Sequence, residues 1–288
     1  MPTHCFAQLS GIRLHYVTCG EGPLLILLHG FPDFWRIWRR QIPVLAEYFR
    51  VVAVDLPGYN QSDRPDHARS YRMERVSAQI AELIVQLGEE SALVAGHDWG
   101  GGVAWTLAAL HPQLVRKVAI LNCPHPSALL RQMWTNPRQL RAAWYILFYQ
   151  LPWLPEWLMS RNLEQWLRSV YHCSTCPQGG GGPQGFTEQD IDEGVRALAQ
   201  PGAVKAALDY YRAGIRYGAP RLPRVTIPLL LLWGELDGAM LLDSARASAR
   251  YAVGPFAFEI VDRAGHWVQV DAAERVNRRL LEYFSPAT

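Results

Sequence analysis

Asp98 stands where a short apolar run, residues 92–97, gives way to a helical pattern. Glycines flank it in the order Gly96-His-Asp98-Trp-Gly100. Glycines at these two positions permit a tight turn between a strand and a helix, which exposes the central side chain. A carboxylate in such a turn can displace a leaving group at an sp3 carbon and form an ester with it. An aspartate that caps the following helix is the alternative interpretation.

A second carboxylate and an imidazole follow Asp98 in positions that suit a hydrolytic triad. Asp237, in WGELD, comes just after the apolar run 229–232, and His266, in AGHW, comes after the run 256–261. Histidine can activate water, and a carboxylate can orient the histidine. The chain order nucleophile, acid, base is that of α/β-hydrolases. We therefore predict a triad of Asp98, Asp237 and His266.

Short β-rich runs alternate with helical patterns over most of the chain. The runs cover residues 13–18, 24–29, 51–55, 92–97, 117–122, 229–233 and 256–261. This alternation predicts a mostly parallel sheet with helices on both faces. Gly20, Gly22 and Pro23 separate the first two runs, which predicts an antiparallel hairpin at that point.

The alternation of strands and helices stops after Pro124 and resumes near Pro228. We predict a helical cap over residues 128–222, inserted between two core segments, 1–127 and 223–288. The first part of this cap holds five of the 11 tryptophans, namely Trp134, Trp144, Trp153, Trp157 and Trp166. These side chains either pack the cap onto the core or line an apolar cleft between the two.

Composition restricts the class of protein and of partner. The 288 residues are 49% hydrophobic and 19% charged, which predicts a globular chain with a large core. The net charge of +2, without a basic run, favours a small-molecule partner over nucleic acid. No apolar run is long enough for a membrane span. The composition leaves the oligomeric state open.

The cysteines bear on the compartment and on metal binding. Five scattered cysteines favour a reducing compartment, so we expect a cytoplasmic protein. Cys173 and Cys176 form a single CxxC without a second ligand pair, which we interpret as two loop thiols. The glycine run 179–182 is interpreted as part of a solvated loop. We expect neither a metal nor a cofactor.

Five motifs are similar to those of epoxide hydrolases of the α/β-hydrolase superfamily, and the similarity covers about residues 6–284. They are HGFPDFW at 29–35, DLPGYNQSDRP at 55–65, GHDWGG at 96–101, WGELD at 233–237 and GHW at 265–267. The resemblance implies an α/β-hydrolase fold, with a mostly parallel eight-stranded sheet and an inserted helical cap. It implies that Asp98 opens an epoxide, that His266 activates water as the second substrate, and that Asp237 orients His266. The backbone N–H groups of Phe31 and Trp99 are the implied oxyanion hole.

The resemblance also implies two cap tyrosines that donate a proton to the epoxide oxygen. In the family one tyrosine lies five residues before a glutamine, which selects Tyr145 over Tyr149, and the other directly precedes an arginine, which selects Tyr211 over Tyr210. A phenol with a pKa near 10 stays protonated at neutral pH and can donate as alkoxide character grows. The alternative interpretation is that these are amphipathic aromatic residues of cap helices.

Aromatic residues near the motifs and in the cap predict a lipophilic substrate. We expect it to contact Phe31, Trp35, Trp99, Phe148 and Trp267.

Three other functions compete with epoxide hydrolysis. Haloalkane dehalogenases share the Asp-Trp pair of GHDWGG, but they generally place an asparagine, which helps to hold the halide, where this chain has Phe31. Fluoroacetate dehalogenases share a phenylalanine there but resemble HDRG at the nucleophile, so Trp99 disfavours them. A ligand-binding protein of the same fold without turnover is the third reading. It is disfavoured because a pure binding protein needs no base.

Overall fold

The computed structural model describes residues 2–175 and 185–285. Its centre is an eight-stranded sheet with the order β1-β2-β4-β3-β5-β6-β7-β8. The strands are β1 (Thr3–Leu9), β2 (Ile12–Cys19), β3 (Leu24–Leu28), β4 (Arg50–Val54), β5 (Ala92–His97), β6 (Val115–Leu121), β7 (Leu229–Gly234) and β8 (Phe256–Val261). Every neighbouring pair from β4 to β8 is parallel, whereas β2 is antiparallel to both of its neighbours. The predicted α/β-hydrolase fold is confirmed.

The predicted hairpin between the first two runs is wrong. β2 pairs with β1 and β4, so that β4 lies between β2 and β3. All five side chains of β3 are buried, and a strand buried on both faces is typical of the middle of a parallel sheet. The hairpin that does form joins β1 to β2 through Ser10 and Gly11, where Gly11 has a φ of 79°. The sequence analysis missed β1, whose residues are mostly exposed.

Helices cover both faces of the sheet and fill the interval between β6 and β7. In the described residues the α-helices are α1 (Ile42–Leu45), α2 (Met73–Gln86), α3 (Trp99–Leu110), α4 (Pro126–Thr135), α5 (Pro137–Ala142), α6 (Trp144–Phe148), α7 (Leu154–Arg161), α8 (Leu163–Thr175), α9 (Glu188–Leu198), α10 (Ala203–Arg216), α11 (Leu242–Ser248), α12 (Val268–Asp271) and α13 (Ala273–Phe284). Helices α4 to α10 occupy the segment predicted as a cap, and the division into core and cap domains stays a prediction.

The core lies on both faces of the sheet because successive strand residues alternate in direction. Leu24, Ile26 and Leu28 of β3 pack in one apolar cluster, and Leu25 and Leu27 pack in the other. Helix α2 contributes to the first cluster and α13 to the second. The two clusters hold the strand ends, where the candidate site lies, in fixed positions.

Three further predictions concern the cysteine and glycine segment, membrane spans and metal binding. Cys176, the glycines at 179–182 and the side chain of Cys173 lie outside the described residues. Within the ranges that the structure describes, no helix is both long and apolar enough to cross a bilayer. The same ranges contain no group of three or more histidine, cysteine or acidic side chains placed to hold a metal ion.

Candidate active site

Asp98 occupies a strained turn between β5 and α3. Its backbone φ is 50° and its ψ is −122°, a conformation that costs a residue with a Cβ roughly 1–3 kcal/mol. A Cβ at Gly96 would collide with the backbone of Gly100, and one at Gly100 would collide with the carbonyl groups of Leu28 and His29. The turn therefore requires both flanking glycines. The Asp98 side chain makes no capping hydrogen bond to α3, which argues against the capping interpretation.

The Asp98 carboxylate contacts two groups that the sequence analysis singled out. Its Oδ1 accepts a hydrogen bond of 2.8 Å from the backbone N–H of Phe31, and its Oδ2 lies 3.6 Å from His266 Nε2. Gly30 is needed here as well, because a Cβ at that position would overlap the Asp98 side chain. In the described part of the chain, the backbone N–H of Trp99 makes no hydrogen bond to this carboxylate. Of the two backbone N–H groups expected to form the oxyanion hole, that of Phe31 therefore donates to Asp98 in the structure.

Asp237 holds the other nitrogen of the imidazole. His266 Nδ1 and Asp237 Oδ2 are 2.9 Å apart. Asp237 Oδ1 accepts hydrogen bonds from the backbone N–H groups of Ala239, at 2.8 Å, and Met240, at 2.9 Å. All three side chains of the predicted triad are largely buried, and β5, β7 and β8 lead into the loops that carry them. The structure therefore brings the three residues together.

The charges of this triad are coupled. Burial would lower the pKa of His266, but the carboxylates of Asp237 and Asp98 outweigh burial and raise it to about 10. Burial would raise the pKa of Asp98, but the hydrogen bond and positive charge of His266 hold it below its usual value. In the resting protein at neutral pH, His266 is thus an imidazolium between two carboxylates.

Two buried residues that the sequence analysis missed support the triad. Asn122 donates from Nδ2 to Asp237 Oδ2 at 2.7 Å and accepts from the Gly234 backbone N–H at 3.1 Å. His97 Nε2 lies 2.9 Å from the backbone carbonyl oxygen of His266. Burial, followed by the charge of His266, lowers the pKa of His97 to about 3. His97 is therefore neutral, and its Nε2 donates to that carbonyl.

The sequence contains a signal for each of these two residues. Asn122 directly follows β6, at the same sheet edge as the triad, and His97 directly precedes Asp98. Position along the chain could have suggested both residues, although it could not have named their partners.

Tyr145 of α6 and Tyr211 of α10 lie side by side, with ring centroids 5.9 Å apart. Burial raises the pKa of each hydroxyl well above 10, and the negative charge of Asp98 adds to the rise in both. Within the described residues neither hydroxyl hydrogen-bonds to a protein atom. Both side chains therefore remain protonated and have a hydrogen bond to give.

Tyr210 and Tyr149, the tyrosines near Tyr211 and Tyr145 in the sequence, have different surroundings. The Tyr210 hydroxyl donates to the carbonyl oxygen of Pro57 at 2.9 Å, so its proton is already engaged. Burial alone raises the pKa of Tyr149, without a contribution from Asp98. The charge of Asp98 thus distinguishes Tyr145 from Tyr149, and the engaged hydroxyl of Tyr210 distinguishes it from Tyr211, in agreement with the choice made from the sequence.

Arg212 ties together the helices that carry the two tyrosines. From α10 it donates through Nε to the carbonyl oxygen of Tyr149, at 3.0 Å, and through Nη2 to that of Leu151, at 2.9 Å. Its Nη1 lies 2.6 Å from Glu156 Oε1. These bonds hold the end of α6 against α10, which maintains the distance between Tyr145 and Tyr211.

Known proteins share this architecture over almost the whole chain. Residues 23–273 match the family model described as alpha/beta hydrolase fold. Epoxide hydrolase 4 of Homo sapiens is 35% identical over 290 residues, which cover 99% of this chain and 80% of the human protein. The chain belongs to the epoxide hydrolase family of α/β hydrolases.

Solved structures of this family agree with that membership. Epoxide hydrolase A from Mycobacterium thermoresistibile has a TM-score of 0.85 at 26% identity, with 99% of this chain and 98% of that chain covered. A single-residue variant of an epoxide hydrolase from Bacillus megaterium, solved with a naphthyloxypropanediol product, has a TM-score of 0.87 at 29% identity. That match covers 97% of this chain and 99% of the Bacillus chain.

A cavity of about 380 Å³ reaches Asp98 from the protein surface. Most of its lining is apolar and comes from α3, α4, α6 and α10, and it includes Trp99, Met133, Ile146, Tyr211 and Met240. Of the five expected substrate contacts, Trp99 lines this cavity. Phe31 lies beside the carboxylate, with its ring centroid 5.2 Å from that of Tyr211.

Within the described residues, none of the other four expected contacts lines this cavity, and three of the four pack against other parts of the chain. Trp267 is 1% exposed, and its Nε1 donates to Asp33 Oδ2 at 2.7 Å. The Trp35 ring packs against His4, 5.6 Å between centroids. The Phe148 ring packs 6.0 Å from that of Trp144. We therefore leave Trp35, Phe148 and Trp267 out of the proposed substrate site, because packing engages them elsewhere.

Proposed function

We propose that this protein converts a lipophilic epoxide to a vicinal diol through a covalent ester on Asp98. The observation that carries the proposal is a buried aspartate at the strand-to-helix turn beside two tyrosines whose hydroxyls have no hydrogen-bond partner in the described residues. Tyr211 lines the same cavity as Asp98, and the ring centroids of Tyr145 and Tyr211 are 5.9 Å apart. A nucleophile alone would serve several reactions. An acid that can protonate a departing alkoxide is specific to ring opening among the reactions considered.

In the first step Asp98 Oδ2 attacks one epoxide carbon. Oδ1 is held by the Phe31 N–H at 2.8 Å, so it becomes the carbonyl oxygen of the ester. The C–O bond of the ring breaks as the new bond forms, and Tyr145 or Tyr211 donates a proton to the ring oxygen. The products of this step are a hydroxyalkyl ester of Asp98 and a tyrosinate. Because the ester carries no charge to hold the imidazolium, His266 gives its proton through solvent to the tyrosinate, which restores the phenol and leaves His266 neutral.

In the second step water attacks the ester carbonyl carbon. His266 Nε2 removes a proton from that water, and Asp237 holds the ring at Nδ1 and stabilises the imidazolium that forms. The Phe31 N–H then stabilises negative charge on Oδ1. The bond between the Asp98 Cγ and the alkoxy oxygen breaks, and the departing oxygen takes the remaining proton of the hydroxyl that came from water. The diol leaves with that oxygen, the carboxylate is restored with one oxygen from water, and His266 is again an imidazolium.

The shape and lining of the cavity support a lipophilic substrate. A volume of about 380 Å³ lies within the range of small-ligand pockets. The Bacillus structure in the comparison holds an aryl-ether diol. By analogy we propose an aryl or long-chain alkyl substituent, accommodated along Trp99, Met133 and Ile146. The cytoplasmic location expected from the cysteines stays a prediction.

One observation favours a second candidate, halide displacement. The Trp99 Nε1 is buried and has no hydrogen-bond partner in the described residues, so it could hold a departing halide. Phe31, however, offers no side-chain donor as the second halide ligand. The two tyrosines would also have no role, because a halide leaves without a proton.

A substrate panel tests the proposal against this alternative. Purified protein is given styrene oxide, a fatty-acid epoxide and a haloalkane, and diol and halide are measured separately. Diol from an epoxide, with no halide release, is the expected result. Halide release without diol would establish the dehalogenase, and binding of all three without turnover would establish a ligand-binding protein.

A further inference from the structure

Large apolar side chains surround the mouth of the cavity on the outside of the protein. Leu130 and Trp134 of α4 and Ile215 of α10 all line the cavity, yet they are 45%, 84% and 47% exposed. We call these three residues the mouth rim. Contiguous exposed apolar groups of this size mark sites of interaction with a partner or a membrane. The mouth rim therefore indicates a surface that a partner or a membrane covers in the active protein.

The segment of α6 and α7, which follows α4 and α5 in the chain, exposes further tryptophans. Trp144, Trp153 and Trp157 are each at least 50% exposed. Of the five cap tryptophans, Trp166 packs against Phe31, with centroids 5.8 Å apart, and Trp134 belongs to the mouth rim. The other three neither line the cavity that reaches Asp98 nor lie buried against the core.

The chain segments that carry these apolar groups are rich in arginine. Residues 126–161 and 213–224 together contain seven arginines, no lysine and one acid, Glu156, although the whole chain has a net charge of only +2. Glu156 is already paired with Arg212. All seven arginines are exposed, and none has an ion-pair partner in the part of the chain that the structure describes: Arg131, Arg138, Arg141, Arg161, Arg216, Arg221 and Arg224.

We propose that the mouth rim and the arginines of the same segments dock on the surface of an anionic lipid bilayer. Tryptophan rings favour the boundary between headgroups and acyl chains, and basic residues nearby are attracted to anionic headgroups. Trp134, at the mouth rim, would enter this boundary. Because the mouth rim also lines the cavity, a lipophilic ligand dissolved in the bilayer could reach Asp98 without crossing water.

The charges favour a bilayer over a second copy of this chain. A two-fold interface brings the same surface together with itself, so the exposed arginines of one copy would face those of the other. Residues 126–161 and 213–224 offer no unpaired acid to neutralise them. An anionic headgroup supplies that negative charge.

Vesicle flotation tests the proposal. The probe is a vesicle of phosphatidylcholine with about 30% phosphatidylglycerol, compared with phosphatidylcholine alone. The protein is expected to float with the anionic vesicles and to bind the neutral ones more weakly. The double variant Arg131→Gln/Arg216→Gln should bind the anionic vesicles about twenty-five-fold more weakly, because each arginine near such a surface contributes roughly a fivefold factor.

A matched control separates local charge from net charge. Arg116 and Arg278 are exposed and lack ion-pair partners in the described residues, but they lie on β6 and α13, outside the two arginine-rich segments. The variant Arg116→Gln/Arg278→Gln has the same net charge as the first variant and should bind anionic vesicles within about twofold of the unchanged protein. Circular dichroism melting checks that both variants are folded.

Three results would overturn the proposal. They are no flotation of the unchanged protein, equal flotation with neutral and anionic vesicles, and an equal loss of binding in the control variant. Light scattering addresses the second copy: a dimer that Trp134→Ser converts to a monomer would show that another chain covers the mouth rim. Vesicle binding is measured without turnover, so its failure and a failure of the proposed hydrolysis are separate results.

Discussion

His266 Nε2 lies 3.6 Å from Asp98 Oδ2, so the residue proposed as the base faces the residue proposed as the nucleophile. As long as Asp98 carries its negative charge, it helps to raise the pKa of His266 to about 10. Forming an ester at Asp98 neutralises that charge. The pKa of His266 should then fall, which makes the imidazole available as a base when water has to be activated.

This relationship predicts different pH dependences for the two steps. Ester formation needs ionised Asp98, whose pKa is lowered, so its rate should persist as the pH falls below neutral. Ester hydrolysis needs neutral His266, so its rate should increase with pH through a pKa below the value of about 10 in the free enzyme. Rapid mixing, with protein fluorescence for the first step and quench-flow for the second, measures both profiles. A hydrolysis profile with its midpoint near 10 would contradict the proposed loss of charge.

Asp98→Ala should abolish diol formation, by at least about a thousandfold, because no other group in the turn can form the ester. The fold should survive, since the Asp98 side chain projects into the site and packs little. Diol formation and the melting temperature are the measurements. Asp192→Ala, at an exposed position of α9, is the matched control and should retain full activity. A folded Asp98→Ala protein with near-normal turnover would rule out this nucleophile.

Replacing the two tyrosines should slow ring opening selectively. Tyr145→Phe and Tyr211→Phe should each reduce the rate of ester formation, by about tenfold to a hundredfold, because the remaining phenol can still donate. The double variant should be far slower than the product of the two effects. Single-turnover kinetics with styrene oxide measures these rates.

Tyr149→Phe is the control for the tyrosine series, since the charge of Asp98 does not contribute to the pKa of Tyr149. Its ester formation should be close to that of the unchanged protein. If the double variant of Tyr145 and Tyr211 keeps its rate, no proton donor is needed, and halide displacement becomes the better proposal.

His266→Gln should trap the ester, because attack by Asp98 needs no base whereas attack by water does. Mass spectrometry should find protein plus one substrate, with the added mass on the peptide that contains Asp98. Asp237→Asn should give slower hydrolysis without complete trapping, because the imidazole remains but is poorly oriented. Absence of any adduct in a folded His266→Gln protein that has consumed substrate would argue against a covalent route.

Heavy-oxygen water checks the same route independently. In a single turnover the label should enter the Asp98 carboxylate, since water attacks the ester carbonyl carbon, and the first diol should be unlabelled. Label in the first diol, with none in the protein, would mean that water attacks the epoxide directly.

Asn122→Ala should weaken the second step through Asp237. The change removes the 2.7 Å bond to Asp237 Oδ2 and leaves the Gly234 N–H without its acceptor. A loss of stability of about 1–3 kcal/mol is expected for the unsatisfied buried groups. Ester hydrolysis should slow more than ester formation, which separates a positioning role from a general loss of structure. Equal slowing of both steps would indicate a purely structural role.

Sequence alone was sufficient where structure is set by neighbouring residues. The turn at Asp98 depends on Gly96 and Gly100, whose missing side chains leave room for the backbone that crosses them. Chain order placed Asp237 and His266 at the ends of successive strands, and parallel strands end at one edge of the sheet. Both inferences depend on the backbone geometry of turns and parallel strands, which is the same wherever these elements occur in a protein.

Tertiary structure decided what depends on distant contacts. The pairing of β2 with β4, instead of with β3, joins strands that are distant in sequence, and the local turn residues carry no information about it. Asn122 became recognisable as a partner of Asp237 only when β6 and β7 were adjacent. Trp267 follows His266 directly, yet its indole points to Asp33. A side chain's type restricts what it can bind, but which neighbour it meets is set by how elements far apart in the chain pack together.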